Sequence, residues 1–294
     1  MAYIKDYWSN SKARAESAKA WTEKMERGFR QEIASACKST VGYTRLTKGG
    51  VVSDAQNTDE VTSSGRRRTL SQICITDTGV TDAIRAAASE ISRQQGTVAD
   101  VIAALNFASY KNPGGKFLEG SRAQEECLCH ESFLYNVLRR FHEYYGWNAQ
   151  HLNKALYENR ALYTPGIYFF SQDGNGGDGK AFCSSSIITC AAPNKSAAQK
   201  YCNVSDEENR AVLEDRIRFV LDIAEYRRID TLILGAYGCG VFGQDPGEVA
   251  SIFKKQLFLD SQNPRYGFRK VIFPIPYSEK DRNLETFHSV FETS

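Results

Sequence analysis

No stretch of this sequence approaches the roughly 18 consecutive apolar residues that a membrane-spanning helix needs. Nor is either charge in excess: 37 Lys and Arg against 35 Asp and Glu leave +2 over 294 residues. Such a balance supplies no global field to draw the chain to nucleic acid or to an anionic bilayer. Neither direct nucleic-acid binding nor membrane association is expected, and any anionic ligand has to be gripped by a local site. The first residues, MAYIKDYWSNSKARAES, contain no hydrophobic signal core and no small-residue cleavage site; the expectation is a soluble, cytoplasmic protein. Histidine is sparse and scattered, at positions 130, 142, 151 and 288. Cysteine is plentiful, with eight residues, yet no CxxC pair occurs, which argues against a zinc or disulfide framework. The thiols are expected to be reduced and buried, packing as small hydrophobes. No metal and no cofactor is called for.

What is present is an ordinary globular composition, 41% hydrophobic and 24% charged, long enough for one large domain with an extension. Residues 11–38 are rich in Ala, Glu, Lys and Arg, and Trp21, Met25, Phe29 and Ile33 recur four apart, the stripe of an amphipathic helix. Residues 42–68 turn polar and rich in Gly, Ser and Thr, with the basic run Arg66, Arg67 and Arg68 as a solvated loop face. This predicts an N-terminal helical extension and connecting segment over 1–68, and a main domain over 69–294. Apolar runs at 70–76, 98–107, 167–170, 182–191, 231–236 and 270–275 predict strands. Helical patterns at 82–94, 122–145, 206–226, 246–259 and 279–291 alternate with them. Strands apolar throughout are covered on both faces, so the fold class is a three-layer α/β/α sandwich with a mixed sheet.

The segment NFASYKNPGGKFLEGSRAQEE, 106–126, starts at a strand end and finishes inside a helix. Pro113, Gly114 and Gly115 permit a turn with positive φ and let the backbone approach a ligand. Ser121 and Gln124 fit a capping box that starts the helix at about Arg122. Glu125 and Glu126 then fall in its first turns, facing whatever the glycine loop holds. Acidic residues also favour a helix N-terminus for dipole reasons alone; their place after a glycine loop, at the carboxyl end of a strand, is where α/β sheets bind ligands. A second segment, AYGCGVFGQDP at 236–246, follows the strand at 231–236. Asp245 suits the cap of the next helix, Pro246 its first position and Glu248 its third. The amides ahead of such a helix make an anion-binding concavity. Gly238 to Gly243 is also a literal GxGxxG, but it lies near the C-terminus with no acid ending the following strand, which excludes a Rossmann dinucleotide site.

On these residues the chain resembles the microbial-type poly(ADP-ribose) glycohydrolases, macrodomain-like proteins in which a glycine triplet precedes Gln-Glu-Glu by six to eight residues. Gly114, Gly115 and Lys116 stand at the triplet, and seven residues separate them from Gln124, Glu125 and Glu126. The flanking Asn106, Asn112 and the LEGSRA run before Gln124 also look like that family. The resemblance implies a macrodomain-like sandwich that binds ADP-ribose, poly(ADP-ribose) or an ADP-ribosylated protein. It implies Glu126 as catalytic acid/base, with Glu125 holding ribose hydroxyls. It assigns Gly238, Cys239, Gly240, Val241 and Phe242 to the diphosphate, Phe242 packing on the distal ribose, and Asp77 to the adenine, although a turn-initiating role suits Asp77 equally. Asn194 reads as a cap. Lys116 replaces the third glycine; it lacks glycine's backbone freedom but carries an ammonium that can meet a phosphate. This leaves polymer ends, mono-ADP-ribose on protein and a free ADP-ribose derivative as open substrates. The alternative to hydrolysis is a non-catalytic ADP-ribose-binding module.

Overall fold

A computed structural model describes residues 10–45, 51–53, 70, 72–93, 102–170, 181–259 and 263–292. The expected loop face at Arg66 to Arg68 lies outside these residues. The elements are α1 (Ser11–Gly28), α2 (Arg30–Ser39), β1 (Val41–Arg45), β2 (Val51–Ser53), β3 (Gln72–Thr76), α3 (Val80–Arg93) and β4 (Ile102–Phe107). After a 3-10 turn at Phe117–Glu119 come α4 (Gln124–His130), α5 (Leu134–Leu138) and α6 (His142–Gln150). Then follow β5 (Arg160–Phe170), β6 (Ala181–Cys190), α7 (Lys195–Cys202), α8 (Asp206–Tyr226), β7 (Thr231–Ile233), α9 (Pro246–Leu257), β8 (Lys270–Pro274) and α10 (Asn283–Glu292). Among the described residues, no helix is long and apolar enough to cross a membrane.

The strands form one mixed sheet in the order β2-β1-β5-β6-β4-β7-β8-β3. From β6 to β3 all pairs are parallel, and β2, β1, β5 and β6 pair antiparallel. One face buries Trp21, Met25, Ile33, Ile84, Phe133 and Phe169 under α1 to α5. The other buries Leu213, Ile217, Phe253, Phe268 and Phe287 under α8 to α10. Helices therefore cover both faces of the sheet, as the unbroken apolar strands require. The loops leaving the carboxyl ends of β3, β4, β6, β7 and β8 gather at one edge.

Three departures from the sequence pattern have local causes. Among the described residues before position 46, α1 and α2 pack into the same core as the sheet, and β1 pairs with β5 through Val41 to Thr44. The polar composition of β1 hid a strand whose neighbour is about 120 residues away. The single helix expected over 11–38 bends at Phe29, whose ring drops against Phe170 at 4.9 Å and Phe133 at 6.3 Å. The helix expected over 122–145 breaks into α4, α5 and α6. At the first break Ser132 bridges to Phe169, its hydroxyl donates to the Leu128 carbonyl at 2.6 Å, and its own carbonyl accepts from Trp21 Nε1 at 2.8 Å. Tertiary partners thus satisfy the backbone groups that a continuous helix would have paired internally.

Trp21 joins α1 to the sheet by both apolar contact and that indole hydrogen bond. Trp21→Ala should lower the unfolding free energy in urea by about 3–5 kcal/mol; a loss below about 0.5 kcal/mol would show that α1 is not part of the core.

Candidate functional site

The gathered loops enclose a cleft of about 960 Å³. One wall is the 108–126 segment. Gln124 begins α4 with no side-chain cap, so the expected capping box at Ser121 does not form and the helix starts two residues later than Arg122. The reason is a competing partner: Phe107 N–H donates to Gln124 Oε1 at 2.8 Å, and Gln124 Nε2 donates to the Leu105 carbonyl at 2.7 Å. The amide thereby pairs with β4 beyond Ala104, where β7 ceases to pair with it.

This grip turns Glu125 and Glu126, both buried, toward the glycine loop. Glu125 Oε2 accepts from Ser109 N–H at 2.7 Å, and Oε1 accepts from Asn106 Nδ2 at 3.1 Å. Burial nevertheless dominates and pushes its carboxyl up to about 8. Glu126 Oε1 accepts from Lys116 N–H at 2.8 Å, whereas its Oε2 is buried without a partner. Gly115, at φ +60°, lies against both carboxylates: a Cβ there would overlap Glu126 Oε1 and stand 3.0 Å from Glu125 Oε2. Gly114 sits behind it, where a Cβ would strike the Tyr135 ring at 2.7 Å.

Lys116 has φ −107° and ψ 33°, a conformation open to any residue. The third position of the triplet needs no glycine here, and its ammonium reaches Glu119 at 3.8 Å with both side chains 71% exposed. The loop is braced from behind by α1: Arg14 Nε donates to the Gly120 carbonyl at 2.7 Å. A Cβ on Gly120, at φ +79°, would run into the Ser11 carbonyl oxygen.

The facing wall is 236–242. Asp245 caps α9, accepting from Glu248 N–H at 2.8 Å, with Pro246 in its first turn. The buried Gln244 amide holds the loop, donating to the Pro193 carbonyl at 2.8 Å and accepting from Asn209 Nδ2 at 2.9 Å. Gly238, Gly240, Val241 and Phe242 line the cleft opposite Asn112, Gly115, Lys116, Gln124, Glu125 and Glu126. The two motifs thus converge.

Four expected residues stand elsewhere. Cys239 points its thiol at the Tyr237 carbonyl, 3.9 Å away, and is not on the cleft surface. Asn106 is fully buried behind Glu125, and Gly114 lies under the loop. Asp77 accepts from Tyr277 N–H at 2.6 Å, tying the β3 and β8 loops together at the rim. Asn194, by contrast, is the cap that the sequence suggests, accepting from Ala197 N–H of α7 at 3.0 Å. Of the eight cysteines, all unbridged, Cys129 and Cys190 are buried, five are half-buried and Cys202 is exposed; burial is thus less complete than expected.

The sequence reading missed Tyr110, Tyr157, Tyr277, Ser278 and Asp281, which also line the cleft. Tyr110 and Tyr157 stack at 4.2 Å, and Tyr157 meets Phe242 edge-on at 6.1 Å. The available signal was position: Tyr277, Ser278 and Asp281 follow the carboxyl end of a parallel strand, where ligands bind.

The model of the family described as microbial-type PARG, catalytic domain, matches residues 13–172. Among solved structures, poly(ADP-ribose) glycohydrolase from Thermomonospora curvata is 30% identical, with a TM-score of 0.74 over 95% of this chain and 99% of that one. The same enzyme bound to the inhibitor ADP-HPD is 29% identical, with a TM-score of 0.74 over 94% and 98%. Poly(ADP-ribose) glycohydrolase from Deinococcus radiodurans in complex with ADP-ribose is 29% identical, with a TM-score of 0.70 over 89% and 97%. No curated protein matches the chain.

Two outcomes follow from the geometry. Gly115→Ala should lower stability in urea by at least about 1–2 kcal/mol, while Lys116→Ala should stay within about 0.5 kcal/mol; equal losses would contradict the backbone argument. Glu125 keeps its proton to about pH 8 in the folded chain but loses it near pH 4.3 when unfolded. Its stabilising effect is therefore full below about pH 4.3 and lost as pH rises through about 8. Glu125→Gln, which cannot ionise, should lose less melting temperature than the native chain between about pH 6 and about pH 9. Parallel losses would show that Glu125 is not held protonated.

Proposed function

Because the chain belongs to the family of microbial-type poly(ADP-ribose) glycohydrolases, we propose that it hydrolyses poly(ADP-ribose) to ADP-ribose with Glu126 as acid and base. The observation that carries the assignment is the contrast between the two carboxylates. Both oxygens of Glu125 already have donors, whereas Glu126 borders the cleft with one buried oxygen unpartnered. A buried polar oxygen without a partner costs about 1–3 kcal/mol, a cost relieved when a substrate hydroxyl or water binds there.

In this reading the terminal unit lies across the cleft, its diphosphate against the amides of 238–242 ahead of α9 and its distal ribose between Phe242 and the carboxylates. Protonated Glu126 gives its proton to the glycosidic oxygen as the bond from that oxygen to C1″ breaks, leaving an oxocarbenium-like ribose. The resulting carboxylate takes a proton from water while the water oxygen bonds to C1″. One water is consumed, ADP-ribose leaves, and Glu126 is protonated again. Glu125, proton-bearing and held by Ser109 and Asn106, takes a ribose hydroxyl and orients the sugar. Gln124 anchors rather than binds, since both ends of its amide are committed to β4. Asn106 and Asp77 act through Glu125 and Tyr277 respectively. A macrodomain-like assignment of the sandwich, a catalytic unit centred on 69–294 and a cytoplasmic location belong to the same proposal, on the sequence grounds given above.

Glu126→Gln should lower kcat for ADP-ribose release by about 10²–10⁴-fold while ADP-ribose still binds by calorimetry within a few fold. A variant as active as the native chain would remove Glu126 from the role. A native chain that binds ADP-ribose yet releases none, from polymer or from mono-ADP-ribosylated protein, would be a binding module instead.

A further inference from the structure

The leaving oxygen must lie beside the group that protonates it, so the leaving part of the substrate emerges on the side of the cleft where Glu126 is held. That side is the turn 111–116, whose Lys116 N–H donates to Glu126 Oε1 at 2.8 Å. Both ends of the turn carry an ammonium. Lys111 and Lys116 are exposed and line the cleft. Lys111 makes no hydrogen bond or ion pair among the described residues. The Lys116 ammonium pairs, among the described residues, with Glu119 at 3.8 Å, a carboxylate as open to water as itself, and solvent and salt screen that contact. Arg122 lines the same wall. With φ −107°, the backbone displays the Lys116 side chain without strain.

The chemistry of the two leaving groups differs at this lip. In the polymer, the leaving oxygen is a ribose hydroxyl of another ADP-ribose unit, and that unit carries its own pyrophosphate. In a mono-ADP-ribosylated protein it is a side-chain oxygen with no phosphate attached. Resting on the glycohydrolase reading above, we infer that Lys111 and Lys116 form a cationic lip that engages the pyrophosphate of the leaving unit and selects polymer over mono-ADP-ribosylated protein. Lys116 is thus a specificity residue, at a position whose backbone does not require glycine.

The test measures kcat/KM on poly(ADP-ribose) and on a mono-ADP-ribosylated peptide free of acidic residues, at about 50 mM and about 300 mM salt. Lys111→Gln and Lys116→Gln should each lower the polymer-to-peptide ratio about twofold to fivefold, the range for an exposed charge pair, and together about tenfold. Lys116→Arg should restore the ratio. Glu119→Gln, which removes the competing acid, should raise it. The native ratio should fall with salt more steeply than that of the double variant. A ratio and a salt dependence unchanged in the double variant overturn the lip while leaving the hydrolase intact. Failure of the native chain to release ADP-ribose from either substrate overturns the hydrolase reading itself.

Discussion

The site depends on one side chain, Gln124, whose amide pairs with the end of β4 through both its donor and its acceptor. Where β7 stops pairing with β4 at Ala104, the backbone at Leu105 and Phe107 would otherwise be left without partners. Gln124 takes their place and in doing so pins the first turn of α4 to the sheet. The next two residues are the paired carboxylates, so their direction follows from the direction of the strand. A capping box at Ser121 would have started the helix earlier and rotated that pair; the strand end outcompetes it because its N–H and C=O are otherwise unpaired.

Holding two carboxylates beside one glycine is electrostatically costly, and the structure distributes that cost unevenly. Glu125 receives a backbone N–H and an amide N–H, yet lies so deep that desolvation outweighs them and it keeps its proton to about 8. Glu126 has a single donor and an unsatisfied oxygen. Behind them Asn106, fully buried, also leaves its Oδ1 unpartnered. Departures from full hydrogen-bond satisfaction gathered in one cleft are what a site shaped for a ligand shows.

The rest of the fold supplies rigidity behind these groups. The Gly115 turn is pressed on one side by the carboxylates, and the loop that continues from it is held on the other by α1, through Arg14 on the Gly120 carbonyl. Trp21 on the same helix holds the Ser132 carbonyl where α4 ends. A helix that composition sets apart from the main domain thereby braces the loop and the far end of the helix that carries the acids. Across the cleft, the buried Gln244 amide does the same for 236–242.

The parallel strands, both glycine loops, the Asp245 cap and the Glu125-Glu126 pair were legible in the sequence. Each is written in local terms: unbroken apolar runs, turn residues, and acids a few positions from a glycine. Residues whose roles are set by partners far along the chain were not legible. β1 is polar and becomes a strand only beside β5. Cys239 stands within the second glycine loop but turns inward to Tyr237. Asp77 spends its carboxylate on Tyr277, 200 residues on. Lys116 looked like a loss of glycine's freedom until its φ of −107° made glycine unnecessary. The sequence by itself determined the layered α/β class, the family and the two loops, because periodicity and turn chemistry act over a few residues. Only the tertiary structure decided which carboxylate keeps an open oxygen and where the lysines stand, because hydrogen-bond competition and burial are settled between segments that meet only on folding.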